Sequence, residues 1–175
     1  SATKVAQAPA RGSGQQQQAN VAPKPPPLLS PAQSAAAADF ALTLLEELRA
    51  RTEKPALPIK PHNLRLQSGN RGLSRAMLRG IRAFYAAAGA LDKVMGDVCK
   101  EQGFESSVCA ITRCTGLSLA ESVEHIGGVR EGVSLLIAHA NVFFSYSWTG
   151  TKLGDMLNAI EAKLAELEKD GVTRF

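Results

Sequence analysis

Four groups of residues have the types and spacing that chemistry requires. Arg75, Arg79 and Arg82 fall at i, i+4 and i+7, which puts three guanidinium groups on one face of a helix. Such a stripe binds phosphate, an acidic protein face or anionic lipid headgroups, or else stands solvated. Cys99, Cys109, Cys114 and His125 can be written as a zinc set, but their spacings do not fit a zinc knuckle. Each cysteine also sits among apolar helical positions, so buried thiols are expected, with no metal and no disulfide framework. Thr149-Gly150-Thr151-Lys152 lies where a helix should begin, and a helix N-terminus holds anions. The first glycine of a phosphate-binding loop is absent, so Thr149 or Thr151 is read as a helix cap instead. His62, His125 and His139 are scattered, and none lies beside a nucleophile or a carboxylate pair in sequence. No catalytic residue and no cofactor are expected.

A fourth group has a nucleic-acid reader's outline. Ile111-Thr112-Arg113-Cys114-Thr115-Gly116-Leu117-Ser118 is similar to the helix and turn of bacterial helix-turn-helix regulators. The helix that would enter the groove carries Glu121 and Glu124 and no Arg or Lys. Two carboxylates facing a polyanion oppose binding, so helix packing is the preferred reading and nucleic-acid binding the secondary alternative.

The elements that position these residues follow from periodicity and caps. Residues 1–30 form a low-complexity arm with a glutamine run at Gln15 to Gln18 and four prolines between Pro23 and Pro27. Such composition cannot bury enough apolar area to fold alone, and the arm is expected to lie extended. Ser30-Pro31-Ala32-Gln33 reads as a capping box with proline at the first helical position, opening a helix over 31–54. Pro55, Pro58 and Pro61 make residues 55–72 an extended connector. A helical domain follows over 73–141. Its first helix is capped by Ser74 and ended by Gly89, and the next runs from about Leu91 to Gln102. A short helix lies near Ser107–Thr115, another opens at the Ser118–Glu121 capping box and ends before Gly127-Gly128, and a last one spans Val129 to Ala140. Val142 to Ser147 then reads as a strand, Leu153 to Leu167 as a long amphipathic helix, and Val172 to Phe175 as the start of a second strand. The fold class is therefore mainly α: five to six helices, then a partial β-α-β unit over 142–175.

Whole-chain numbers conceal an asymmetry. The 175 residues carry 20 Lys+Arg and 16 Asp+Glu, for a net charge of +4. Residues 62–90 hold Arg65, Arg71, Arg75, Arg79 and Arg82 and no acid, whereas residues 91–175 are net acidic. This excludes a histone-like cation and favours an acidic partner surface for the arginine stripe. The best apolar run, Val133 to Tyr146, is broken by His139 and Asn141 and is too short to span a membrane. The opening stretch is basic, acid-free and rich in Ala, Ser and Gln, which resembles the neighbourhood of an organellar transit peptide. A plastid or mitochondrion, on its reducing stromal or matrix side, is the expected compartment, with the cytoplasm as the alternative.

Phe143-Phe144-Ser145-Tyr146-Ser147-Trp148 resembles the opening box of Toll/interleukin-1 receptor-like (TIR) domains, and resembles more closely still the SYSW or SHxW boxes of algal and other protist proteins. Gly154-Asp155-Met156-Leu157 and Gly171 to Phe175 continue the likeness, which covers residues 142–175 only. It implies the first strand, helix and second strand of a flavodoxin-like parallel sheet. Some such domains hydrolyse NAD with a glutamate further along, beyond the residues matched, so no catalytic residue carries over.

Together these features point to a non-enzymatic linker or scaffold subunit of a large organellar assembly, with a photosynthetic antenna–reaction-centre complex as one candidate. Its contacts with neighbouring subunits would come from Pro23, Pro25, Pro26, Pro27, Leu28 and Leu29 on the arm, Arg75, Arg79 and Arg82 on the stripe, and Phe143, Tyr146 and Trp148 in the box. A fragment of a TIR-like signalling protein or NAD hydrolase is the alternative.

Overall fold

The computed structural model describes residues 29–51, 71–100, 104–139, 147 and 149–169. Within them the chain is mainly helical, as expected. Its elements are α1 (Pro31–Ala50), β1 (Arg71–Leu73), α2 (Arg75–Ala87), α3 (Met95–Cys99), α4 (Val108–Thr112), α5 (Leu119–Gly127), α6 (Val133–Leu136), β2 (Ile137–His139) and α7 (Leu153–Lys169).

Local sequence sets most of the helix starts. The Ser30 hydroxyl accepts from the Gln33 amide at 3.2 Å, and the Gln33 side chain accepts from the Ser30 amide at 2.9 Å. The reciprocal bonds satisfy two donors that the first turn of α1 would otherwise leave unpaired. Ser118 opens α5 with the same reciprocal pair through Glu121, and the Ser74 and Ser107 hydroxyls cap α2 and α4 by accepting from the Met77 and Ala110 amides. At the far end of α2, Gly89 takes a φ of +63°. That lets the Ala90 amide reach back to the Tyr85 carbonyl at 2.8 Å and closes the helix.

The core is one cluster shared by all the helices. Ala37, Ala41, Leu44, Leu45 and Leu48 of α1 meet Met77, Ile81, Phe84 and Tyr85 of α2, with Val98, Ile111, Val123, Leu136 and Ile137 closing the sides. The α1–α2 contact is unusually close. A Cβ placed on Gly80 would collide with the Ala41 Cβ, and would lie 3.0 Å from the Ala38 carbonyl oxygen and 3.1 Å from the Leu42 amide nitrogen. Leu153 and Leu157 of α7 belong to this same cluster. The sequence groups α7 with a separate unit over 142–175; its first turns instead complete the helical body.

Two expected helices are mostly something else. Only Met95–Cys99 of the span from Leu91 to Gln102 is helical. The Leu91 carbonyl accepts from the Gly154 amide at 2.8 Å, the Lys93 carbonyl from the Leu153 amide at 3.0 Å, and the Met95 amide donates to the Thr151 carbonyl at 2.9 Å. These cross-links to the start of α7 take the backbone groups that a helix would have used. The span from Val129 to Ala140 fails as a helix for a different reason. Gly132 sits at φ +99° against the Phe40 ring, so α6 starts only at Val133 and lasts four residues. Ile137 to His139 then turn into a strand. They pair antiparallel with β1 in the register Arg71↔His139, Gly72↔Ala138 and Leu73↔Ile137. β1 takes in the last two residues of the expected extended connector and the first of the expected helical domain, and α1 ends at Ala50 rather than at residue 54. The two strands assigned from sequence over 142–147 and 172–175 lie outside the described residues, Ser147 excepted.

Candidate interaction surface

The arginine stripe forms as expected, but it is not bare. α2 presents Arg75, Arg79 and Arg82 toward α7. Arg75 donates from Nε to Glu161 Oε2 and from Nη1 to Glu168 Oε2, both at 2.7 Å. Arg79 lies 3.7 Å from the other Glu161 oxygen and donates to Ser34 Oγ at 2.8 Å. Arg82 donates to Asn158 Oδ1 at 2.7 Å. The acidic face that the sequence assigns to a partner is therefore supplied, at these residues, by the chain's own helix. Burial alone would depress the Arg75 pKa, but the Glu161 and Glu168 carboxylates outweigh it and hold the guanidinium more firmly protonated than usual. Roughly a quarter of each of these three side chains remains exposed, and almost half of Arg79.

A second ionic group is fully enclosed. Arg71 of β1 donates from Nη1 to Glu121 Oε1 at 3.0 Å and from Nε to Glu124 Oε2 at 2.8 Å, with 2%, 7% and 5% of the three side chains exposed. Glu121 has a second duty. Its Oε2 accepts from the Ser118 amide at 3.0 Å and the Ser118 hydroxyl at 2.8 Å, closing the capping box of α5. The capping role was readable from four consecutive residues. The arginine was not, because it comes from a strand 50 residues away in sequence. The enclosure also bears on the nucleic-acid outline. The α5 carboxylates point into the body, and His125 is the one exposed residue of that helix, which leaves little face for a groove.

A third bridge fastens the loop between α5 and α6. Arg130 grips both Glu47 carboxylate oxygens, at 2.7 and 2.8 Å, donates to the Ile126 and Gly127 carbonyls, and lies 5.9 Å over the Phe40 ring. Val129, beside it, is wholly exposed at the tip of the loop.

No protein-family model, no curated protein and no solved structure matches this chain.

The remaining site residues divide plainly. Leu29 is half-buried immediately before α1. Pro23, Pro25, Pro26, Pro27, Leu28, Phe143, Tyr146 and Trp148 lie outside the described residues. Lys152 pairs with Asp92 at 3.3 Å, next to the start of α7. Among the described residues no three His, Cys, Asp or Glu side chains gather as metal ligands, and no helix is long and apolar enough to cross a membrane. The expectation of three buried thiols needs correction: Cys114 is buried, Cys99 half-buried and Cys109 exposed. Cys109 is the second residue of α4, a helix too short to enclose every position of its apolar stretch.

One polar atom stands out in the core. The Tyr85 hydroxyl is buried and makes no hydrogen bond, with its ring packed edge-on to Phe84 at 5.1 Å. Burial, followed by the nearby Cys99 and Cys109 thiols, pushes the phenol pKa well above its ordinary value. Above about pH 10 the unfolded chain loses this proton while the folded chain keeps it, so folding stability falls as pH rises. Tyr85→Phe removes an unpaired hydroxyl and is expected to raise stability by about 1 kcal/mol near neutral pH. It should also flatten the alkaline loss. Chemical denaturation followed across pH 7 to pH 11 measures both, and a destabilised variant would mean that the hydroxyl has a partner.

Proposed function

We propose that this chain is a non-enzymatic linker or scaffold subunit that bridges neighbouring subunits of a larger, organellar assembly. The observation that carries this reading is the division of labour along the chain. Residues 1–30 are acid-free, glutamine- and proline-rich and unable to form a core of their own, and they lead directly into a helical body. In that body three ionic bridges tie distant elements together: Arg71 to Glu121 and Glu124, Arg75 to Glu161 and Glu168, and Arg130 to Glu47. A braced body joined to an arm whose composition cannot supply a core fits a part that holds other parts in place. Pro23, Pro25, Pro26, Pro27, Leu28 and Leu29 are the arm's proposed contacts, and the exposed portions of Arg79 and Arg82 those of the body.

Limited proteolysis of the full chain, isolated and in native extract, tests this. Isolated, residues 1–28 should be cut first and the helical body survive. In extract the chain should migrate with a large complex and the arm should resist cleavage. A free monomer with a protease-resistant N-terminus would overturn the reading.

A further inference from the structure

The stripe on α2 and the edge of α7 that covers it form a matched pair, and the match is regular. Asn158, Glu161 and Glu168 lie along one edge of α7, and they meet Arg82, Arg79 and Arg75 in antiparallel order. The two ends of α7 are held differently. Its first turns are locked by Leu153 and Leu157 in the common core and by backbone bonds to Leu91 and Lys93. Beyond them, Ile160 and Leu164 are buried but stand outside that core cluster, and the charged contacts to α2 are partly solvated. Partly solvated ion pairs are individually weak and are screened by salt. The second half of α7 is thus held by the burial of Ile160 and Leu164 and by polar bonds to α2, and those polar bonds are ones that an equivalent set of acceptors on another amphipathic helix replaces one for one.

We propose that the acidic edge of α7 is an internal stand-in for the ligand of the arginine stripe, so that a partner's acidic helix docks on α2 by displacing the second half of α7. This rests on the scaffold reading, and it specifies the partner's chemistry. The docking helix carries an amide followed by carboxylates three and ten residues later, the spacing of Asn158, Glu161 and Glu168. Arg79, the most exposed of the paired guanidiniums, makes the first contact. Arg75 exchanges its two carboxylates last, since it alone bonds two of them and is the less exposed of the two ion-paired guanidiniums. In the undocked chain the stripe is masked, which keeps Arg75, Arg79 and Arg82 from binding polyanions indiscriminately.

The probe is a fluorescent peptide with the sequence of residues 153–169, titrated into the full chain. Glu161→Gln with Glu168→Gln should raise the peptide's affinity at least about tenfold over the unaltered chain. Adding Arg75→Gln and Arg79→Gln to that variant should abolish the gain, as should raising salt from about 50 to about 500 mM. Equal affinity for both chains, or a gain that survives loss of the arginines, overturns the proposal. If the glutamine variant does not fold, hydrogen exchange on the unaltered chain decides. Selective deprotection of residues 160–169 on adding excess peptide supports displacement, and a uniform or absent change overturns it. The scaffold reading fails separately, by the proteolysis result above, whichever way the peptide behaves.

Discussion

Arg71→Ala is expected to destabilise the folded chain by about 3–5 kcal/mol, the range for removing one partner from an enclosed ion pair. The reason is what the substitution leaves behind. Glu121 and Glu124 are each over nine-tenths buried, and without the guanidinium they keep two negative charges in a low-dielectric interior. Much of the loss is therefore the cost of two buried carboxylates that have lost their guanidinium rather than the strength of the bridge. A compensated variant separates the two. Arg71→Met with Glu124→Leu and Glu121→Gln removes all three charges but keeps an acceptor for the Ser118 amide, so most of the stability should return. Urea denaturation of the two variants checks this. A single-variant loss below about 1 kcal/mol would place the triad in water.

Gly80→Ala is expected to cost about 1–3 kcal/mol, although alanine is the better helix former by about 0.5–1 kcal/mol. The sign is decided by the opposing surface. The new methyl meets the Ala41 Cβ and the Ala38 and Leu42 backbone of α1, none of which is the end of a flexible side chain. α1 and α2 must then separate, which loosens the packing of Leu44, Leu45, Met77 and Ile81 around the crossing. A thermal melt that rises, following helix propensity alone, would mean that the two helices are free to move apart.

How much of this was readable beforehand follows the range over which each signal acts. Ser30, Ser74 and Ser118 mark helix starts because a cap is a three-residue interaction, and all three caps form. The stripes Met77, Ile81, Phe84, Tyr85 and Leu153, Leu157, Ile160, Leu164 place α2 and α7 for the same reason. The spans from Leu91 and from Val129 failed because their apolar spacing reports which residues are buried, not how their backbone is paired. Leu91 and Lys93 bond to residues some 60 positions later, and Ile137 bonds to β1 some 60 earlier. The arginine stripe was legible in full, but its acidic counterpart on α7 was not, since nothing in either helix alone sets their relative placement. The Arg71 triad was the least visible of all: it needs the β1–β2 pairing, and three-residue strands leave almost no periodic trace.

That two-stranded pairing also sets an order of events as the chain folds. β1 precedes Glu121 by 50 residues and β2 by more than 60, so closing the ladder and the triad requires a long loop to be brought together. α1, α2 and their caps need only near neighbours and have no such delay. During synthesis Arg71 leaves the ribosome well before the glutamates that will enclose it, and it stays hydrated until α5 arrives. The triad is in this sense the clasp of the fold, fastened after the helices have formed, and Arg71→Ala should speed unfolding more than it slows folding.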